Sequence, residues 1–214
     1  VNQYVGGTAE FTIDDTTVAV TQDAAFPWDG DVEIDVSAAA PASFALRLRI
    51  PGWAEEASVT VDGDPVALEA GEVGDGGDYL TIDREWADAT VSVSFPMPGR
   101  SLVAHPAVEA DAGRIALARG PLVYCLEGVD HDRPLAQHAV DPTTDFTATD
   151  RDDLLGGVVT LEGEATVPDL EGWDDALYRP AEETETTTAP VTAVPYYAWD
   201  NREPGEMRVW IRRD

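Results

Sequence analysis

The 214-residue chain has no lysine, one cysteine, no long hydrophobic run and no amphipathic helical stretch. Each absence excludes something. Cys125 alone cannot close a disulfide within the chain, nor can it supply a cysteine-based metal cluster. Nothing approaches the roughly 18 consecutive apolar residues that a membrane-spanning helix requires. No segment keeps a 3.6-residue apolar period over three turns, so helices are not expected to build the core. The opening residues Val1-Asn2-Gln3-Tyr4-Val5 lack an initiator Met and a charged leader. They read as the start of a piece cut from a longer protein, with no signal peptide in view.

What the chain has in excess is negative charge. It carries 42 acidic and 13 basic residues, a formal net charge of −29, and every basic residue is Arg. The acids are spread along the whole length, which argues against a disordered acidic tail. Self-repulsion of this size opposes a compact state in dilute buffer and is screened within about 3 Å at ~1 M salt. A halophilic source, with the protein in the cytoplasm, is the expected explanation. The same field repels phosphate backbones and excludes nucleic acid as a partner.

The apolar residues alternate with period two. Val32, Ile34 and Val36 are separated by Glu33 and Asp35; Phe44, Leu46, Leu48 and Ile50 by Ala45, Arg47 and Arg49; Val91, Val93 and Phe95 by Ser92 and Ser94. Turn residues stand between such runs. Asp14-Asp15-Thr16-Thr17 separates Phe11–Ile13 from Val18–Val20, and Asp62-Gly63 follows Val59 and Val61. The pattern predicts an all-β fold of two antiparallel, jelly-roll-like sandwiches with little or no helix, 1–98 and 99–205, with the junction between Pro96 and Gly113. Arg114 to Glu127 is the longest nearly continuous apolar stretch; Gly120-Pro121 rules out one helix and predicts two buried strands meeting at a kink. Farther on, strands are expected at Val158–Leu161 and Ala165–Val167 around Gly163, at Val191–Trp199, and at Met207–Arg212. Glu182–Thr188 reads as a mobile loop.

Candidate chemistry is sparse. Cys125 has the apolar neighbours Leu122, Val123, Tyr124 and Leu126, which disfavour a thiolate nucleophile and suit a core filler. His105, His131 and His138 match no zinc spacing and are expected in solvated loops. The carboxylate pairs Asp14-Asp15, Asp152-Asp153, Asp174-Asp175 and Glu182-Glu183 arise readily in so acidic a chain and do not mark a glycosidase dyad. Asp29-Gly30-Asp31 and Asp62-Gly63-Asp64 could hold Ca2+ but are also ordinary turn chemistry. Of six tryptophans, Trp28 and Trp53 lie at turns where a ring can meet a sugar; core anchoring is the competing role.

Several segments, in order, resemble the C-terminal β region of glycoside hydrolase family 127, typified by β-L-arabinofuranosidases and once described only as a domain of unknown function. They include Phe26-Pro27-Trp28-Asp29-Gly30, Leu46 to Trp53, Ile82-Asp83-Arg84-Glu85-Trp86, Arg119 to Glu127, and Val194 to Trp199 with Asn201-Arg202, Pro204 to Met207 and Val209-Trp210-Ile211. The resemblance implies a haloarchaeal-like, non-catalytic fragment. It would support an upstream helical barrel that holds a cysteine nucleophile, a glutamate and zinc. None of those residues maps onto this chain, so no catalytic, cofactor or metal residue is assigned here. The resemblance also implies that the second sandwich can take part in a homodimer and that the final strand, 206–213, can return to the first sandwich. The alternatives are a carbohydrate-binding module gripping sugar with Trp28 and Trp53, and a self-sufficient glycosidase using Cys125.

The charge makes a direct prediction. The melting temperature, followed by circular dichroism, should be much higher in molar KCl than in dilute buffer; equal values would remove the halophilic reading.

Overall fold

The computed structural model describes residues 1–68, 78–174 and 176–214. Chain contacts divide it into two compact units, Val1–Met97 and Pro98–Asp214. Among the described residues there is no α-helix, only strands and short 3-10 turns, as the alternation predicts.

The first unit contains β1 (Gly7–Ile13), β2 (Thr16–Ala24), β3 (Asp31–Ala38), β4 (Ala42–Ile50), β5 (Ser58–Val61), β6 (Asp64–Val66), β7 (Asp78–Trp86) and β8 (Ala89–Ser94). Six of them form one sheet in the order β1-β2-β3-β8-β5-β6, and β4 pairs with β7 in a second. The alternating residues face one core. Val32, Ile34 and Val36 from β3 and Val91 and Val93 from β8 pack with Leu46, Leu48 and Ile50 from β4 and Leu80, Ile82 and Trp86 from β7. The intervening Glu33 and Asp35 point to water. Both predicted hairpins form with two-residue turns: Ile13 pairs with Thr16 across Asp14-Asp15, and Val61 with Asp64 across Asp62-Gly63. All four central residues have positive φ, between 45° and 86°, the backbone of type I′ turns that Asp and Gly tolerate.

The second unit contains β9 (Gly99–Leu102), β10 (Arg114–Arg119), β11 (Leu122–Glu127), β12 (Ala139–Val140), β13 (Thr147–Arg151), β14 (Val158–Pro168), β15 (Thr186–Pro195), β16 (Met207–Arg208) and β17 (Ile211–Arg213). Hydrogen bonding runs β10-β11-β15-β14-β12-β17 and back to β10, so the sheet closes on itself like a barrel. Ile115, Leu117, Tyr124, Leu126, Leu161, Val191 and Ile211 fill its interior. Closure leaves these six strands without an open edge along the ring.

Several local expectations change. Gly120-Pro121 is no kink but a hairpin reversal, with Arg119 opposite Leu122 and Gly120 at φ 53°, the conformation that a type II′ turn asks of its first central residue. The two strands expected around Gly163 are one, β14. Gly163 sits in mid-strand because a Cβ there would come within 2.8 Å of the Phe146 ring. Glu182–Thr188 holds a 3-10 turn, Ala181–Glu183, and the first residues of β15. Met207–Arg212 is not one strand: β16 pairs with β11, whereas β17 pairs with β10 and, in parallel, with β12. The final strand therefore does not return to the first unit; its partners lie in the second.

Gly30 provides a test of packing in the first unit. A Cβ there would lie 2.0 Å from the Phe95 carbonyl oxygen, and Phe95 N–H donates to the Gly30 carbonyl at 3.0 Å. Gly30→Ala is expected to cost about 3 kcal/mol or more in urea unfolding, the upper end for overpacking. Gly63→Ala meets no atom and strains only a positive φ, so about 1 kcal/mol is expected. Equal costs would refute the close approach at Gly30.

Candidate functional site

A cluster of hydrogen-bonded charges lies at the end of β11. Glu127, the strand's last residue, is 5% exposed. Arg202 reaches it from the turn between β15 and β16. The guanidinium donates through Nε to Glu127 Oε2 at 3.2 Å, with Nη2 also on that oxygen. It clamps Asp130 with Nη1–Oδ1 at 2.7 Å and Nη2–Oδ2 at 2.6 Å. The other Glu127 oxygen accepts from the Asp200 N–H at 3.0 Å. The hydrogen bonds to Asp130 and to Glu127 hold the guanidinium above the ordinary arginine range. Arg can satisfy both acids because its planar fork carries five donors.

Cys125 stands two residues before Glu127 and is 1% exposed. Burial pushes its thiol up to about 12, and the Glu127 carboxylate adds repulsion. A nucleophilic cysteine needs the reverse, a lowered pKa and access. The two neighbouring carboxylates are engaged as well, since both accept hydrogen bonds from Arg202.

The histidines divide differently from expectation. His105 is exposed, as a loop residue should be, and its Nδ1 accepts from Ala107 N–H at 3.1 Å. His138 is 1% exposed and His131 is half-buried, so these two are not solvated. The reason is backbone pairing. His131 Nδ1 donates to the Glu127 carbonyl at 2.7 Å and its Nε2 accepts from Thr192 N–H at 3.4 Å. His138 Nδ1 donates to the Pro134 carbonyl at 3.3 Å, and the two rings meet edge to face at 5.0 Å. Burial, followed by the neighbouring His131, lowers the pKa of His138.

Most of the remaining acidic candidates have turn or pairing partners. Asp14-Asp15 and Asp62-Gly63 form turns, and Asp62 Oδ1 accepts from Thr90 N–H at 2.9 Å. Asp29 caps Asp31 N–H at 3.1 Å, while Asp31 accepts from Ser94 at 2.7 Å. Asp153 pairs with Arg151 at 3.0 Å on the surface. Glu182 and Glu183 lie exposed in a 3-10 turn, and Asp175, of the Asp174-Asp175 pair, lies outside the described residues. Among the described residues no group of three or more His, Cys, Asp or Glu side chains could hold a metal ion. A zinc site of clustered thiolates does not fit a chain with one buried cysteine. Trp53 is half-buried, stacked on Phe26 at 6.3 Å and edge-on to Phe95 at 5.9 Å. Trp28 is 56% exposed.

The chain matches two family models. Residues 1–97 match the middle domain of family 127, described as β-L-arabinofuranosidase, and residues 100–212 match the C-terminal domain of glycoside hydrolase family 127. The β region is therefore two family domains, middle and C-terminal, rather than a C-terminal one alone. A non-reducing end β-L-arabinofuranosidase of Bifidobacterium longum subsp. longum is 38% identical over 99% of this chain and 32% of its own length. The crystal structure of a GH127 β-L-arabinofuranosidase from Geobacillus stearothermophilus T6 superposes with TM-score 0.90 at 42% identity, covering 99% of this chain and 33% of that one. A second solved GH127 β-arabinofuranosidase gives TM-score 0.82 at 31% identity, again covering 99% of this chain and 34% of the other. This chain thus spans about a third of the length of these relatives.

Arg202→Met should test the clamp, since it leaves two carboxylates poorly solvated and unpaired. A loss of about 3 kcal/mol is expected, as for other broken buried pairs. The triple variant with Glu127→Gln and Asp130→Asn should recover part of it in the same urea titration. A single substitution without effect would show the clamp to be idle.

Proposed function

The chain belongs to glycoside hydrolase family 127, and we propose that it is the non-catalytic β region of a β-L-arabinofuranosidase, buttressing a helical catalytic domain carried elsewhere in the parent protein. The observation that carries this reading is the state of its one thiol. Cys125 is 1% exposed, with burial pushing its pKa up to about 12. The neighbouring acids are engaged by Arg202. A glycosidase working through a side-chain nucleophile needs that group reachable, and the thiol beside the Arg202 cluster is not. The length relation supports the same view, because the relatives extend over about three times this chain. In this reading any zinc belongs to the catalytic domain, the parent is a haloadapted cytoplasmic enzyme acting on terminal arabinofuranose, and the second unit contributes to a homodimer.

The test is an assay of the 214-residue chain on an aryl β-L-arabinofuranoside in high salt. No turnover above buffer is expected, and Cys125→Ser should change nothing. Turnover that disappears in Cys125→Ser would replace this reading with that of a self-sufficient enzyme.

A further inference from the structure

β10 and β11 pair directly only at Ala118–Val123 and Arg119–Leu122. Beyond that they separate, and the chain's last two strands occupy the gap, β16 against β11 and β17 against β10. Where β16 gives way to β17, the second unit has a groove of about 590 Å³, lined mainly by Arg114, Val123, Tyr196, Met207, Arg208 and Trp210.

The charge of this groove is anomalous. The protein carries 42 acidic and 13 basic residues, yet the groove is lined by two arginines and no acid. Among the described residues the ion pairs are those of Arg151 and Arg202, so neither Arg114 nor Arg208 is neutralised by a carboxylate. Arg114 also stands directly opposite Arg212 on the neighbouring strand. Like charges in that position oppose pairing, and a bound anion would relieve the repulsion. The rest of the lining is suited to a ring. Tyr196 is 44% exposed and its ring is backed by Trp199, stacked at 6.4 Å and 19°. Trp210 contributes a half-buried indole, and Val123 and Met207 are apolar.

We propose that this groove binds an acidic saccharide, a sugar ring lying on the aromatic side chains with its carboxylate held by Arg114 and Arg208. Guanidinium forks match carboxylates in shape and charge, and aromatic faces take the apolar faces of sugar rings. A long polyanion such as nucleic acid would meet the repulsion of the whole acidic surface; a short uronate has one charge per sugar over only a few sugars and meets mainly the local field. The proposal is independent of whether the chain is catalytic.

The experiment titrates trigalacturonate into the 214-residue chain at constant ionic strength, following tryptophan fluorescence, with arabinotriose and sodium sulfate as comparisons. Saturable binding of trigalacturonate alone is expected. Arg114→Gln and Arg208→Gln should each weaken it about tenfold or more, the scale of losing a charge-assisted contact. Tyr196→Ala, at an exposed position, should weaken it as well, with melting temperatures unchanged. No binding would overturn the proposal. So would equal response to sulfate, which needs only the charge, or to arabinotriose, which needs only the rings. A dimer in sedimentation that Tyr196→Asp dissolves would overturn it too, by showing that a second copy covers the groove.

Discussion

The pairing of β10 with β11 is the constraint on which the second unit turns. Gly120-Pro121 reverses the chain in two residues, and the Gly120 carbonyl accepts from Arg100 Nη2 on β9 at 2.9 Å, tying the turn to the adjacent strand. The pairing lasts for two residue pairs only. Without it the ring β10-β11-β15-β14-β12-β17 would be an open sheet with two edges and an interior exposed between them. With it, Ile115 and Leu117 of β10 and Tyr124 and Leu126 of β11 face one closed core, each 1% exposed or less. The lone cysteine takes its character from this. Cys125 lies between Tyr124 and Leu126 on the other face of β11, is 1% exposed, and its strand pairs with β15 through Tyr124–Pro195, Cys125–Val194 and Leu126–Ala193.

The separation of β10 and β11 past the turn explains the Arg202 clamp. The strands that fill the gap arrive from a turn running from Asp200 to Glu206, with no regular structure of its own. Glu127, at the end of β11, fixes it at two points, Asp200 N–H and the Arg202 guanidinium; Asp130 holds the other side of that guanidinium. Gly128 N–H adds a bond to the Glu206 carbonyl at 2.8 Å, immediately before β16 begins. The clamp thus places the last two strands, much as a buried polar network restricts a chain to one arrangement when all its members are satisfied.

How much of this could be read from the sequence depended on how locally it was encoded. Period-two alternation located β3, β4 and β8, because one face of each meets a core and the other meets water. Asp14-Asp15 and Asp62-Gly63 announced their hairpins, since positive φ restricts which residues fit. β9 and β12 escaped because they are four and two residues long, too short to show a period. The final segment read as one alternating strand; its division comes from two different partners, a fact of topology. The clamp left no local trace, with Arg202 lying 75 residues from Glu127 and 72 from Asp130. For His131 and His138 a polar sequence context suggested solvent, but the Glu127 and Pro134 carbonyl oxygens, just before short 3-10 turns, supplied the partners that made burial tolerable.

The electrostatics of this protein work on two levels that salt affects unequally. Most of its acids line the outward faces of strands and loops, Glu33 and Asp35 of β3 among them, where ions screen their repulsion within a Debye length. The Arg202 cluster is different, with side-chain exposures of 14% for Arg202, 7% for Glu127 and 17% for Asp130. Such a pair lies in a lower effective dielectric and is reached by far fewer ions. Rising salt should therefore reduce the repulsive cost over the surface while leaving the internal attraction nearly whole. Arg suits this division better than Lys, because a weakly hydrated planar fork loses less on burial and makes several directed bonds that do not depend on long-range charge alone.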